Sequence, residues 1–323
     1  MAVELDKLPK FSELPIKPDA PGQSSWGLFG EADGVGCLNF LTPGGVVEAA
    51  RLVKKGKVFR LDTPINYAEP PLFARAPAKH TIISFEKYGV CGCDDKLDDY
   101  NTQQGSQWDS LGHMGHPRLQ RFYNGVPMDE VKSGRARVGI DQWANRVVGK
   151  GLLVDLFAHR IRRGAPIDPL SDERYGFDEL TAALAEQAGE ITPGTVLLMR
   201  TGWMQAYLAA PPEKKAALAP LHGLRACGIE PSSRLMEWLW DNRVAAIASD
   251  GPSVEPWPWD FADEGALHYR ALALLGLPLG EQFDLEELAA DCAADGAYPF
   301  MFVSAPLYLR GGIASPPNAV AIK

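Results

Sequence analysis

The chain has 323 residues, 46% of them hydrophobic, and a formal net charge of -9. That length holds a substantial core in one large domain or two, and the acidic balance argues against nucleic acid or an anionic membrane as partner. No apolar run approaches the roughly 18 residues of a membrane span; residues 1–21 show no secretory signal, and five scattered cysteines read as reduced thiols of a cytoplasmic protein.

Residues 1–30 form an extended arm, because Pro9, Pro15, Pro18 and Pro21 stop any regular element. A helix follows with Thr42 as N-cap, Pro43 at its first position and Val46, Val47, Ala50 and Val53 at helical spacing; Gly56 ends it. Residues 57–62 alternate as a strand. Residues 64–106, rich in Pro, Gly, Asp and Gln, read as a long loop of the kind used for lids or subunit contacts.

The next stretch, residues 107–116, carries a carboxylate and two imidazoles in a chain with six histidines. Asp109 and His113 are four apart, so a helical turn would set both on one face, as two ligands of one cation require. His116 follows at the next step of three. Trp108 would supply an apolar wall, and Gly112 and Gly115 allow close backbone approach. Beyond it, Asn124-Gly125 favours a tight hairpin.

Buried strands are expected at residues 152–156, 195–200 and 244–249, each a continuous apolar run. Helices are expected at 177–188, 211–218, 232–241, 265–275 and 286–291, and late strands at 300–306 and 319–322. Strands and helices mix without strict alternation, which fits a single α/β domain with a mixed sheet. In residues 267–281, His268 lies near the start of an apolar helix and Glu281 follows a Gly-Leu-Pro-Leu-Gly turn. With Asp109 and His113 they supply the nitrogen and oxygen ligands that zinc prefers and manganese tolerates. His80, His159 and His222 have no ligand-like spacing and read as structural or surface residues. Trp257-Pro258-Trp259 fits a pocket wall or a subunit face.

These residues together resemble the cyclase family of metal-dependent hydrolases, which includes arylformamidases (kynurenine formamidases) and isatin hydrolases. The resemblance runs from about Asp33 to Ile322. It is carried by Leu41-Thr42-Pro43, residues 148–155, residues 193–203, Ala248-Ser249-Asp250 with Glu255, the segment from His268 to Glu281, and Pro306-Leu307 with Gly311-Gly312 and Ser315-Pro316. It implies a swivelling β/β/α domain over residues 31–323, assembled as a homodimer or homotetramer.

The family signature, H-x-G-T-H-x-D-x-P-x-H, is altered here. Aligned on His113, its first histidine becomes Asp109, its aspartate Gly115 and its last histidine Leu119. The chain is thus similar to a longer branch reading Trp-Asp-x-x-x-His, with Tyr123-Asn124-Gly125 downstream. Loss of the bridging aspartate implies one divalent metal per chain, zinc or manganese. Asp109 and His113 are the first ligands, and His268 and Glu281 complete the set. His116 replaces the missing final histidine as proton shuttle, and Glu281 is the second expected catalytic residue. Trp108, Phe122 and Tyr123 suit a flat substrate, though core packing explains them equally well.

The implied function is hydrolysis of an amide, formamide, lactam or lactone of a small cyclic or aromatic molecule by metal-activated water. A cyclase or dehydratase acting on a polyketide-like molecule is the alternative, and a non-catalytic binding protein on the same fold is a third reading.

Overall fold

The computed structural model describes residues 5–323. Its strands are β1 (Val58–Arg60), β2 (Lys79–Ser84), β3 (Cys93–Asp98), β4 (Gln107–Asp109), β5 (Val148–Asp155), β6 (Arg174–Tyr175), β7 (Val196–Arg200), β8 (Gly228–Ile229), β9 (Ala246–Ser249), β10 (Leu279–Glu281), β11 (Pro299–Ser304), β12 (Ala314–Ser315) and β13 (Ala319–Ile322). The α-helices are α1 (Pro43–Ala50), α2 (Met128–Lys132), α3 (Leu156–Arg162), α4 (Phe177–Glu186), α5 (Trp203–Ala209), α6 (Pro212–Leu218), α7 (Ser233–Asp241) and α8 (Glu286–Asp295), and a π-helix spans Tyr269–Leu275.

Nine strands make one mixed sheet in the order β1-β13-β11-β5-β7-β9-β10-β4-β12. β5, β7, β9 and β10 run parallel; β11, β13 and β1 continue antiparallel on one side, and β4 and β12 on the other. The parallel strands are covered on both faces, so β7 and β9 are buried at every position, as their unbroken apolar runs require. α1 and α7 begin where expected, with Thr42 Oγ1 accepting from the Gly45 N–H and Ser232 Oγ from the Leu235 N–H, each at 3.1 Å. None of the described helices is long and apolar enough to cross a membrane.

Several expectations need correction. The 64–106 segment is not a bare loop, because β2 and β3 pair as a hairpin apart from the main sheet. Its strands have no buried face and therefore write no alternation into the sequence. Residues 107–109 are a strand rather than part of a helical turn. The helix expected over 265–275 is a π-helix closed by Gly276, whose φ of +66 favours glycine. The first four residues of the expected arm lie outside the described residues. From Leu8 onward it lies along α7 and the π-helix: Arg243 Nη2 donates to the Leu8 carbonyl at 2.7 Å and Trp26 Nε1 to the Ala273 carbonyl at 2.7 Å.

Candidate metal centre

β4 places the first ligand by strand alternation. Gln107 and Asp109 point to one face of the sheet and Trp108 to the other. The chain then turns, with the His113 N–H donating to the Ser110 carbonyl at 3.0 Å, and His113 comes back beside Asp109. Its Nε2 lies 3.9 Å from Asp109 Oδ2. The spacing of four is therefore met by a strand end and a turn.

The second half arrives on the π-helix and β10. Donor atoms of Asp109, His113 and His268 all lie within 4.8 Å of one another. Glu281 Oε1 is 3.2 Å from His268 Nε2. The other ring nitrogen of His268, Nδ1, is 2.8 Å from Glu255 Oε1, and the same carboxylate accepts the backbone N–H groups of Leu267 and His268. A carboxylate behind a histidine fixes the ring's orientation, so Nε2 faces the site, where Glu281 shares it. Two glutamines tie the acidic groups. Gln107 Nε2 donates to Glu281 Oε2 at 2.8 Å, and Gln103 Nε2 to Asp109 Oδ1 at 2.8 Å.

One oxygen of these carboxylates is left over. Asp109 Oδ2 is buried and has no hydrogen-bond partner. A buried carboxylate oxygen with nothing to offset its charge is costly, and a cation held also by two imidazoles removes that cost. A set of two nitrogens and a carboxylate oxygen suits zinc or another divalent transition ion. The residues therefore fit the group that the sequence implies.

Burial and charge act on these groups in different directions. Burial pushes the His113 imidazole below its usual value, against the opposing pull of Asp109. Burial would lower His268 too, but hydrogen bonds to the Glu255 and Glu281 carboxylates raise it to about 10. Burial, reinforced by the Asp109 charge, pushes Glu281 up to about 7.

The centre opens into a cavity of about 310 Å³ whose walls include Phe73, Arg75, Gln103, Met114, Ser253, Trp257, Trp259 and Phe261. It lies beyond the carboxyl end of β9, where ligands of open α/β sheets bind. Trp259 stacks on the His268 ring, with centroids 5.3 Å apart and planes at 20°. Phe73 meets Trp257 edge-on at 5.2 Å. A larger groove of about 620 Å³ between α1 and β5 contains no comparable convergence of ligating groups.

Of the residues expected from sequence, Asp109, His113, His268 and Glu281 come together. Trp108, Phe122 and Tyr123 do not line the cavity. Trp108 faces the core because it alternates with Asp109, and its ring meets Phe283, Phe302 and Trp143. Phe122 and Tyr123 are buried in a turn, with Tyr123 hydroxyl donating to Asp33 Oδ2 at 3.1 Å. His116 also stands off the cavity wall. Its Nδ1 accepts from the Leu119 N–H at 3.4 Å and its Nε2 lies 3.8 Å from Glu264. Sequence reasoning missed Gln103, Gln107, Arg75 and the role of Glu255. Trp257 and Trp259, left open between pocket and subunit face, are on the pocket wall.

The "Putative cyclase" family model matches residues 57–256. A solved structure described as a novel cyclase aligns at 31% identity over 93% of this chain and 99% of its own, with a TM-score of 0.81. Isatin hydrolase A from Labrenzia aggregata, bound to benzyl benzoate, aligns at 14% identity over 82% of this chain and 93% of its own, TM-score 0.56. An isatin hydrolase bound to the product analogue thioisatinate aligns at 16% identity over 82% and 91%, TM-score 0.55. At those identities the isatin hydrolases share the fold alone. A comparison with curated proteins finds no match. The extent of the family match and of the 31% alignment place this chain in the cyclase family.

Proposed function

We propose that this protein is a metal-dependent hydrolase of a small cyclic or aromatic amide, formamide, lactam or lactone. The observation that carries the reading is the unpartnered Asp109 Oδ2, set within 4.8 Å of donor nitrogens on His113 and His268. The names of the isatin hydrolases that share the fold agree with this class, isatin being a cyclic amide.

Asp109, His113 and His268 would hold one divalent ion, with Glu281 beside them. Such an ion supplies Lewis-acid polarisation of a carbonyl and acidifies water to a pKa near 7. The chain's own groups do the rest. Glu281, whose Oε1 lies 3.2 Å from His268 Nε2, is placed to take the proton lost by the attacking water and return it to the leaving nitrogen or oxygen as the carbonyl carbon's bond to that atom breaks. Phe73, Trp257 and Trp259 hold a flat ring and exclude water, and the cavity's size suits one or two fused rings. Glu255 keeps His268 in one orientation.

Elemental analysis of protein purified without chelator, followed by a panel of formamides, lactams and lactones, tests the reading. Near one equivalent of metal and a hydrolysis that chelator abolishes and zinc or manganese restores are expected. Protein that takes up neither ion overturns it.

A further inference from the structure

Arg75 is the one guanidinium on the cavity wall among the described residues. Its Nη1 donates to the Gln103 carbonyl, and its Cζ lies 4.7 Å from the centroid of the Phe73 ring. Among the described residues it has no carboxylate at ion-pair distance, although Asp109 and Glu281 act on it from further off. A guanidinium carries five N–H donors, and here a single carbonyl receives one of them. Two more donors on the same wall lack an acceptor. Ser253 Oγ and Trp259 Nε1 are both buried and unpartnered, and Ser253 is 2% exposed.

A cation and two idle donors among aromatic rings, on the wall of a hydrolytic centre, make a site with surplus donors. Arginine's planar fork matches the two oxygens of a carboxylate, and the rings beside it match a flat hydrocarbon body. We propose that Arg75 is a specificity-determining residue that receives a carboxylate carried by the substrate, apart from the bond to be cleaved. The substrate class is then an aromatic or cyclic acid, its ring against Phe73 and Trp257 and its anionic end on Arg75, with Ser253 and Trp259 as further donors. This rests on the hydrolase reading for the word substrate, but the binding it asserts can be measured without turnover.

Two probes of matched shape that cannot be hydrolysed, benzoate and acetophenone, test it by calorimetry on metal-loaded protein and on chelator-stripped protein. Benzoate is expected to bind at least about tenfold more tightly than acetophenone in both forms, since a charge-assisted pair adds that much or more. Arg75→Met brings benzoate down to the level of acetophenone and leaves acetophenone within about twofold. Arg75→Lys keeps the charge and retains part of the preference. Equal binding of the two probes, a preference that survives Arg75→Met, or a preference seen only with metal present overturns the proposal. So does Arg75→Met weakening both probes alike, which marks a packing role. Metal content and thermal midpoint of each variant show that it is folded and loaded. Failure of the hydrolase reading would appear instead as absent turnover, with the benzoate preference intact.

Discussion

Gln107 and Glu281 stand directly opposite each other in the antiparallel ladder of β4 and β10, and the Gln107 amide bridges Glu281 Oε2 at 2.8 Å and Asp109 Oδ1 at 3.3 Å. Residues 174 positions apart in sequence are thus held by strand register. A slip of one residue would send Asp109 into the core and Trp108 into the site. Gly280 protects that register on the other face, because a Cβ there would lie 2.7 Å from Ala248 Cβ and 2.8 Å from the Trp108 ring.

Gln107→Leu removes the bridge while keeping a side chain of similar length. It leaves Glu281 Oε2 buried without its donor, which costs about 1–3 kcal/mol. Urea unfolding of metal-free protein should show a loss of that order, and an unchanged midpoint would mean that the bridge is idle.

His113→Ala and His116→Ala should separate cleanly. The first removes one of the three converging donors, so metal content and activity fall together. The second alters a residue off the cavity wall, so metal is retained and activity stays within about threefold, far from the 100- to 10,000-fold loss expected of a proton-transfer group. A loss of that size with metal retained would make His116 the shuttle.

Metal uptake should depend on pH with a definite sign. Ligands bind only when deprotonated. Without metal, the ligand His268 keeps its proton up to about pH 10, and Glu281, whose proton the neighbouring ion would repel, keeps its own up to about 7. Affinity should therefore rise with pH, by about tenfold per unit for each proton displaced, and more steeply below 7 than above. Competition with a chromophoric chelator between pH 6 and 8 measures it, and a flat profile contradicts the assignment.

Trp108→Ala is a core deletion. It should cost about 3–5 kcal/mol of stability, while Trp259→Ala should cost less stability and weaken aromatic ligands. Denaturation and benzoate titration of both variants check the contrast.

Acid should loosen the edge where β1, β13 and α8 meet. Lys55, Lys57 and Lys323 hold Asp291 below the carboxylate range, and Asp295, bonded to Lys55, Lys323 and the Ala297 N–H against the opposing effect of burial, lies at about 2. Depressed carboxylates stabilise the fold above their unfolded value near 3.8, and that contribution is lost as pH falls from about 4 to about 2. Lys323→Met should reduce the difference between urea midpoints at pH 7 and pH 3. An equal difference would show that the cluster contributes nothing.

Much of the frame was legible because burial on both faces writes an unmistakable pattern. β5, β7 and β9 are such runs, and Thr42 and Ser232 announce the helices they cap. β4 and β10 were not legible, because three residues are too few to show a period and their site-facing positions are polar. A helical turn would aim His116 inward, but with β4 extended Trp108 alternates away from Asp109 and His116 stands off the cavity wall. Asp109 and His113 lie side by side all the same, because a strand end and a turn also bring residues four apart together. Arg75 and Gln103 gave no signal, lying at the two roots of a hairpin whose strands bury nothing.

The position of β4 in the sheet also sets when the centre can come into being. Its ladder partners are β10 and β12, both made long after it. While residues 110–278 are being made, Gln107–Asp109 has neither neighbour, and His113 and Asp109 have no third donor until His268 is added. The nascent chain would thus carry half of the candidate site, and on the metal-dependent reading loading would be a late event in biogenesis, following sheet completion rather than guiding it.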